Sequence, residues 1–561
     1  MDMRKYAKKI RWEAAAMKMK KIVAFLVCLV LAMSALGAFA EGDSATALNV
    51  AIGSQFTTLD PAMNTETVNA YVLQHIYAGM FVKDSDNNVV NLLCDTYEVS
   101  EDGLTYTFHM VEDAVWSDGV PVTAHDFEYA YLRALSYGPD NAYGVNNMVT
   151  YIAGAAEYNQ RAMEAGESFD CTVEDHSDVG VAALDDYTLQ LTLSTPCAYL
   201  TGLMCSNCWL PVREDFAVQH DSMWAYESGY PTCGAYTLVE CNENEGATLQ
   251  KSETYVNADS VTLDTINFIV MTDPASQTYA FQTGEVDVAM SPGTESASMY
   301  SGTENLWIMP QSSNYFLAIN SGETGPEWAK DANVRRALAL AIDKDALVEV
   351  LGGTDFYRVL NGYVPRGLSG ISGDFREEGD ADGYTLTYDP EQAMQLLAEA
   401  GYDESNPLQI TYKYSNNGIH ADVATMLQSM WQAIGVDVTF DAVEAGVFYD
   451  QCDQGQFEIC RYGYVTSNDA MEFLDIWTSS HQVTAAVDDP TYDEMVAEAK
   501  MIVDRTEYYT AVHAVEDYLC DENVYVIPLF DYTSPVLVQS GISGYRSLGG
   551  TPDFSQVVFA E

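Results

Sequence analysis

The sequence predicts an α/β fold that is divided between two or three lobes. The chain has 561 residues, more than a single hydrophobic core usually serves. Strand-like and helix-like segments alternate between residues 334 and 440, a pattern typical of a sheet covered by helices. Apolar residues make up 48% of the chain, which favours a globular protein over a disordered one.

The first block after residue 46 is predicted to contain one helix and several short strands. Ala47–Ile52 alternates with the period of a strand, and a helix is expected over Thr67–Tyr77. Gly103–Met110 and Tyr187–Leu193 also alternate with period two, each following an acidic turn.

The segment Trp116–Phe127 predicts a strand, a tight turn and the start of a helix. Asp118-Gly119 supplies the turn, because Gly tolerates a positive φ. Thr123 is the predicted N-cap, and Asp126 stands three residues later, where an acidic side chain can complete the cap. Phe127, Ala130, Tyr131 and Ala134 then follow at helical spacing and are expected to face the core.

Helix-capping residues set the boundaries of the later elements. Asp273-Pro274 begins a helix that Gly284 ends, and the strand Val286–Met290 follows. Asp343 is the predicted N-cap between two helices, and Asp389-Pro390 begins another that stops at Gly401. A strand, a helix and a strand are then expected over Leu408–Tyr412, Asp422–Ile434 and Val436–Phe440.

The N-terminus has the pattern of a signal peptide. A basic segment, Met17–Lys21, precedes the apolar run Ile22–Phe39, and Ala38-Phe39-Ala40 is an A-x-A cleavage site. A single membrane anchor is the alternative, although the run ends in small residues followed by polar ones. Cys28 lies in the middle of the run, which excludes a lipid anchor there. We therefore expect export, with cleavage after Ala40.

The chain is strongly acidic, with a formal net charge of −58. Residues 1–40 contain eight basic and two acidic side chains, so the remainder is more acidic still. Such a surface disfavours binding to nucleic acid or to anionic lipids. It also repels anionic solutes at long range.

Enzyme and metal-site patterns are absent from the sequence. We find no HExxH, GxSxG or GxxxxGK[ST] motif among its residues. Of the eleven cysteines, Cys205 and Cys208 form a lone CxxC, which favours a structural disulfide or two unpaired thiols over a metal or redox site. No cofactor and no metal are expected.

Seven segments occur in the order of known family landmarks. They are Thr58–Pro61, Glu101–Phe108, Trp116–Phe127, Cys233–Tyr236, Phe281–Asp287, Val334–Asp343 and Tyr388–Tyr402. Together they resemble the oligopeptide- and dipeptide-binding family of extracellular solute-binding proteins, which feed ABC importers. The resemblance extends from about Val50 to Tyr545, nearly the whole chain after the signal.

The resemblance implies a two-lobed periplasmic-binding-protein clamp with an extra domain in the first lobe. We expect lobe I over residues 41–78, 205–305 and 528–561, the extra domain over 79–204, and lobe II over 306–527. A ligand is enclosed when the lobes close about a hinge. Closure excludes water, which strengthens the few polar contacts in the cleft.

The family's cleft segment has the pattern R-x-G-W-x-A-D-Y-x-D-P-x-x-F-L, and its first Asp pairs with the peptide α-ammonium. The matching segment here begins at Arg461, has Tyr464 in place of Trp, and is one residue shorter. Ser467 stands where the family has that Asp, so Asp469 is the nearest acid. A Ser cannot replace the charge, and the alternative for Asp469 is a turn residue that faces solvent.

The resemblance also implies ligand contacts at Thr65, which follows the L-D-P segment, and at Tyr143. The predicted ligand-binding set is therefore Thr65, Tyr143, Arg461, Tyr464, Ser467 and Asp469.

We expect a monomeric, non-enzymatic binding protein that delivers peptides or peptide-like solutes to the permease subunits of an ABC importer. The alternatives are the same clamp for a non-peptide solute, such as an oligosaccharide, an opine or a metal chelate, and an exported hydrolase.

Overall fold

One large mixed sheet runs through the protein and carries most of its strands. The structure is a computed structural model that describes residues 46–64, 66–137, 148–217, 229–466, 469–479 and 487–560. The predicted signal peptide and three of the predicted site residues, Thr65, Tyr143 and Ser467, lie outside the described residues.

The described strands are numbered in chain order. They are β1 (Ala47–Ile52), β2 (Phe81–Lys83), β3 (Val89–Asn91), β4 (Cys94–Val99), β5 (Thr105–Met110), β6 (Val181–Asp185), β7 (Thr188–Thr192), β8 (Tyr236–Asn242), β9 (Gly246–Lys251), β10 (Thr265–Val270), β11 (Val288–Ala289), β12 (Leu306–Ile319), β13 (Tyr357–Val359), β14 (Leu408–Ser415), β15 (Val436–Val443), β16 (Ile459–Tyr462), β17 (Val526–Val538), β18 (Ile542–Ser543), β19 (Arg546–Leu548), β20 (Thr551–Asp553) and β21 (Val558–Phe559).

The described helices are numbered in the same way. They are α1 (Thr67–Ile76), α2 (Ala124–Leu135), α3 (Ala155–Ala165), α4 (Leu200–Leu203), α5 (Glu214–Ala217), α6 (Pro274–Thr283), α7 (Thr294–Ser298), α8 (Ala332–Leu340), α9 (Lys344–Leu351), α10 (Phe375–Asp382), α11 (Pro390–Glu399), α12 (His420–Ala433), α13 (Ala445–Asp453), α14 (Ala470–Asp475), α15 (Pro490–Lys500) and α16 (Arg505–Asp517).

The large sheet has the strand order β15-β14-β16-β12-β17-β11-β1-β10-β9-β8, and β13 pairs with β17. Strands β14, β15 and β16 lie on one side of the long pair β12 and β17, and strands β1 and β8 to β11 lie on the other. The pairing of β12 with β17 is interrupted between Pro310 and Asn314. Two strands therefore connect the two halves of the sheet, and their pairing is irregular where the halves meet.

A separate four-stranded sheet, β4-β5-β7-β6, lies within the region predicted as the extra domain. Helix α2 packs on this sheet and begins at the predicted cap. Thr123 N donates to Asp126 Oδ2 over 2.8 Å, and Trp116 Nε1 donates to the same oxygen over 3.3 Å. Trp116 is fully buried and directly precedes the predicted turn, and the predicted strand is reduced to an isolated antiparallel bridge between Val115 and Pro121. The Trp116–Phe127 segment thus has a structural role in this protein.

Local capping chemistry explains why the later helices begin where the sequence predicts. The carboxylates of Asp273, Asp343 and Asp389 each accept a hydrogen bond from the backbone N–H three residues on. Gly284 ends α6 with a φ of 72°, as expected for a left-handed cap. The predicted strand Val286–Met290 is shorter in the structure, with only Val288 and Ala289 paired.

The segment after β1 is attached to α2 by a buried ion pair. Asp60 is fully buried, and its Oδ1 lies 2.9 Å from Nη1 of Arg133, while its Oδ2 accepts from Nη2. Asp60 Oδ1 also accepts from Ala62 N over 3.1 Å. The Asp of the L-D-P segment therefore holds the chain that leads into α1.

Within the described ranges, no helix has the length and apolar character that a membrane span requires.

Candidate functional site

A cavity of about 710 Å³ opens beside the irregular part of the β12–β17 pair. Its walls come from both halves of the sheet. The lining residues fall in segments 64–83, 90–92, 202–210, 235–260, 290–291, 309–312, 465–466, 534 and 546–556. The volume is within the range of about 300–1,000 Å³ that small-molecule sites usually have.

Helix α1 forms one wall of the cavity with Tyr71 and His75. The His75 ring is buried and neutral, because Nδ1–H donates to Tyr71 O over 2.6 Å while Nε2 accepts from Phe554 N over 3.1 Å. Burial lowers the pKa of this imidazole. His75 therefore positions the chain near the C-terminus against α1 rather than carrying charge into the cavity.

The C-terminal hairpin, defined here as β19, the turn Gly549-Gly550 and β20, forms a second wall. Arg546 and Asp553 face each other across the hairpin, and Arg546 Nε lies 3.0 Å from Asp553 Oδ2. Asp553 also accepts from Ser555 N over 2.9 Å. The charge of Arg546 is thus matched within the hairpin itself.

Lys83, the last residue of β2, lies in the wall next to the hairpin turn. Only 5% of the residue is exposed. Burial lowers the pKa of its ammonium, and the carboxylates of Asp469 and Asp374 act against that shift.

The opposite wall is contributed by β12, β17 and the segment after β16. Gln311, Ser312, Val465 and Thr466 line the cavity there, together with Ser534. Thr466 N donates to Ser312 O over 3.3 Å, so the cleft segment is bonded to the irregular stretch of β12.

Asn314 binds the cleft segment at Tyr464, two residues before Thr466. Its Oδ1 accepts from Tyr464 N over 3.0 Å, and its Nδ2 donates to Tyr363 O over 2.7 Å. A Cβ on Gly463 would lie 2.9 Å from Asn314 O, so the glycine permits this close approach. The predicted cleft segment reaches the cavity through Val465 and Thr466, which do not belong to the predicted ligand-binding set.

Asp469 is 1% exposed and is the N-cap of α14. Its Oδ1 accepts from Met471 N over 2.9 Å and from the Tyr508 hydroxyl over 2.7 Å. Its Oδ2 accepts from the Tyr509 hydroxyl over 2.8 Å. Burial raises the pKa of this carboxyl, whereas the three hydrogen bonds lower it. Asp469 is thus not a turn acid facing solvent, and it does not belong to the described cavity wall.

Arg461 is also buried, within the half of the sheet that contains β14 to β16. Its guanidinium donates to the Ser415 hydroxyl and lies 4.4 Å from the ring centroid of Phe448. Tyr464 is partly exposed and packs edge-on against Phe473, with ring centroids 5.3 Å apart. Arg461 and Tyr464 belong to the cleft segment but are not among the described lining residues. Their contact with a ligand stays a prediction.

The CxxC pair lies in the cavity wall as two thiols. Cys205 and Cys208 line the cavity, and burial raises the pKa of each to about 12, so both are protonated at neutral pH. Across the described part of the chain, we find no cluster of His, Cys, Asp or Glu side chains that could hold a metal ion.

Sequence reasoning missed the contributions of His75, Lys83 and the C-terminal hairpin. The Gly549-Gly550 pair between short alternating segments is a hairpin signal that could have indicated the hairpin itself. No local pattern indicates that the hairpin meets β2, since the two are far apart in the chain.

Known proteins resemble this chain in sequence and have the same fold. The profile of the bacterial extracellular solute-binding proteins, family 5, matches residues 88–485. The periplasmic oligopeptide-binding protein OppA of Escherichia coli is 27% identical over 504 residues, which cover 88% of each chain.

Two solved structures show the same fold. The unliganded open form of the periplasmic murein tripeptide-binding protein MppA is 23% identical, with a TM-score of 0.79 over 92% of this chain and 98% of that one. Listeria monocytogenes OppA bound to peptide is 22% identical. Its TM-score is 0.60, and the match covers 92% of this chain and 100% of that one. The predicted two-lobed α/β fold is thereby confirmed. The chain belongs to the bacterial extracellular solute-binding proteins of family 5.

Proposed function

We propose that this protein captures peptides between its two lobes and delivers them to the permease subunits of an ABC importer. The observation that carries the proposal is the cavity of about 710 Å³, whose walls come from both halves of the sheet. The names of the relatives, which include oligopeptide-, dipeptide- and murein peptide-binding proteins, support a peptide as the solute.

The hinge is proposed at the irregular stretch of β12 and β17. Only these two strands continue from one half of the large sheet into the other, and their pairing is interrupted between Pro310 and Asn314. A small change of backbone angle there moves one half relative to the other. The higher TM-score to an unliganded open form than to a peptide-bound form supports an open arrangement of the lobes here.

The cavity wall suits a ligand that is held mainly through its main chain. Hydroxyl and amide side chains such as Ser206, Asn207, Gln311 and Ser312 alternate with apolar ones around the wall. Main-chain groups and waters give affinity without strong side-chain preference. Closure then lowers the local dielectric and strengthens each polar contact.

The remaining sequence predictions belong to this proposal. The protein is exported and cleaved after Ala40, acts as a monomer, and has lobe I, extra-domain and lobe II boundaries as predicted. The predicted set, Thr65, Tyr143, Arg461, Tyr464, Ser467 and Asp469, surrounds or supports the ligand. N-terminal sequencing of protein purified from the producing cells tests the export step, since it should begin at Glu41.

A peptide-binding experiment tests the central claim. Protein stripped of ligand by unfolding and refolding is mixed with a random tri- to pentapeptide library, and bound peptides are identified by mass spectrometry. Small-angle scattering on the stripped protein should then show a smaller radius of gyration with the best-bound peptide. Binding of no peptide, or an unchanged radius at saturation, contradicts the proposal.

The second candidate is the same clamp for a non-peptide solute. It is favoured by Ser467, which stands where the family has an Asp that pairs with the peptide ammonium. Mass spectrometry of the small molecules released from the protein as purified distinguishes the two, because a non-peptide solute would dominate the released fraction.

A further inference from the structure

Two buried cysteines, Cys452 and Cys460, are in contact where α13 packs on β16. Both residues are 0% exposed, and the Cys460 thiol forms a hydrogen bond with the Cys452 thiol. The chain turns back on itself between them, because Gly455 N donates to Cys452 O over 2.9 Å at the end of α13. This turn brings together two thiols that belong to different elements of the fold.

Hydrogen bonds from the neighbouring residues hold the α13 cysteine over the strand. Lys413 of β14 is paired in register with Cys460, so the two side chains lie on the same face of the sheet. Lys413 Nζ donates to Gln451 Oε1 over 2.8 Å. Tyr462, two residues after Cys460 and therefore on the same face, donates to Asp453 Oδ1 over 3.3 Å. The residues before and after the α13 cysteine are thus both bonded to the sheet face that carries Cys460.

We propose that Cys452 and Cys460 form a disulfide bond when the protein is exported. The proposal uses the export step of the proposed function, and it does not depend on which solute is bound. Disulfides form and persist outside the cytoplasm, where thiol-disulfide oxidoreductases and small disulfides supply the oxidant. The oxidant is therefore another disulfide.

The bond forms by two exchange steps. The thiolate of one cysteine attacks a sulfur of the oxidant, which forms a mixed disulfide and expels half of the oxidant as a thiolate. The thiolate of the second cysteine then attacks the first cysteine's sulfur and expels the other half. The two cysteines together lose two electrons, and their two protons end on the two thiols of the reduced oxidant.

Burial determines when this bond can form and how long it lasts. The folded protein shields both sulfurs from solvent, and burial raises the pKa of the Cys460 thiol, so little of the reactive thiolate is present. Oxidation therefore takes place while the chain folds, before α13 covers β16. Once the protein is folded, the same burial protects the bond from thiol reductants.

The disulfide would fasten the support of the cleft segment. Helix α13 carries Phe448 and Tyr449, whose ring centroids lie 4.4 and 5.3 Å from the guanidinium carbon of Arg461. Strand β16 leads directly to Val465 and Thr466, which line the cavity. A covalent bond between the helix and the strand therefore fixes the beginning of this segment.

The first test maps the bond in the unmodified protein. The protein is purified from the producing cells after their free thiols have been alkylated, and it is digested with trypsin and a glutamate-specific protease. Cleavage after Glu458 separates the two cysteines, so a disulfide keeps segments 445–458 and 459–461 joined until a reductant is added. We expect mass spectrometry to find this joined pair. Alkylation of both cysteines, or a bond from either one to another cysteine, overturns the proposal.

The second test counts thiols in urea after one cysteine has been removed. Cys452→Ser and Cys460→Ser should each raise the count by about one thiol per chain, because the partner is released from the bond. Cys233→Ser is the matched control, a buried cysteine whose Sγ accepts from Ala78 N over 3.4 Å, and it should lower the count. A count that stays level or falls in Cys452→Ser overturns the proposal.

A third measurement gives the effect on stability. The unmodified protein is refolded from urea with a reductant or with oxidised glutathione, and reduction should lower the midpoint of thermal unfolding by at least about 3 °C. The double variant Cys452→Ser/Cys460→Ser should show no such difference. A difference of the same size in the double variant overturns the assignment to this pair.

Peptide binding, measured by calorimetry on the same preparations, separates this proposal from the proposed function. Two free thiols in a protein that binds peptide overturn the disulfide alone. A mapped disulfide in a protein that binds no peptide overturns the proposed function alone.

Discussion

Replacing Asp469 by Asn is expected to lower the stability of the protein without changing its preference for a peptide with a free amino end over the N-acetylated form. The carboxylate accepts hydrogen bonds from Met471 N, Tyr508 Oη and Tyr509 Oη, at 2.9, 2.7 and 2.8 Å. Because the residue is 1% exposed, solvent cannot replace a lost partner. The side chain connects α14 to α16, so its effect is on packing within one lobe.

The magnitude follows from the type of bond. A hydrogen bond to a charged group contributes about 1.5–3 kcal/mol, and a neutral one about 0.5–1.5 kcal/mol. Asn keeps one acceptor oxygen, which can bind Met471 N, but its amide NH₂ group faces one of the two tyrosine hydroxyls. The free-energy cost of burying a charge is removed at the same time. We therefore expect the free energy of unfolding to fall by about 2 kcal/mol. Tyr508→Phe and Tyr509→Phe should each act in the same direction.

Two measurements decide the point. Urea unfolding followed by tryptophan fluorescence gives the stability of each variant. Calorimetry with the best-bound peptide and its N-acetylated form gives the ratio of the two affinities, which Asp469→Asn should change less than about twofold. A variant of normal stability whose preference for the free amine falls by more than about tenfold would refute this reasoning and show that Asp469 pairs with the ligand ammonium.

Two further predictions concern buried charge. Arg133→Met should lower the free energy of unfolding by about 3–5 kcal/mol, because it leaves the buried Asp60 unpaired. Adding Asp60→Asn to the same chain should restore much of this loss, as measured by urea unfolding. No recovery in the double variant would contradict this prediction. Burial, with a smaller contribution from Arg461, lowers the pKa of His420 to about 4 from the ordinary value of 6.5. The folded state then binds fewer protons than the unfolded one between these values, so His420 lowers stability as the pH falls from 6.5 to 4, by at most about 3 kcal/mol. His420→Gln should flatten the pH dependence in that window relative to a control, His176→Gln, at a partly exposed histidine. Parallel curves for the two variants would contradict the prediction.

The sequence predicts those elements whose boundaries depend on neighbouring residues. Asp343 and Asp389 cap helices at the expected positions, because each carboxylate bonds to a backbone N–H only three residues away. Period-two alternation locates β1 and β5 because one face of each strand is buried. In contrast, the strand predicted at Trp116 is only a short bridge, in which Val115 pairs with Pro121 and Trp116 N donates to Val120 O across the Asp-Gly turn.

The cavity is less predictable, because its walls are assembled from residues that are distant in the chain. The resemblance identifies the cleft segment, but the side chains that reach the cavity are Val465 and Thr466. Lys83 and the hairpin turn at Gly549 meet only in the folded protein. Periodicity along the chain records which face of an element is buried, and it does not record which other element covers that face.

The landmark segments that identify the family make contacts that stabilise the fold, and these contacts say little about which ligand is bound. Asp60 of the L-D-P segment pairs with Arg133, and Trp116 of the third landmark bonds to Asp126 at the start of α2. Both contacts stabilise a lobe and lie outside the cavity wall. Selectivity between solutes depends on the wall itself, since a binding site discriminates by the polar groups it leaves matched or unmatched. Two chains with every landmark can therefore bind different solutes.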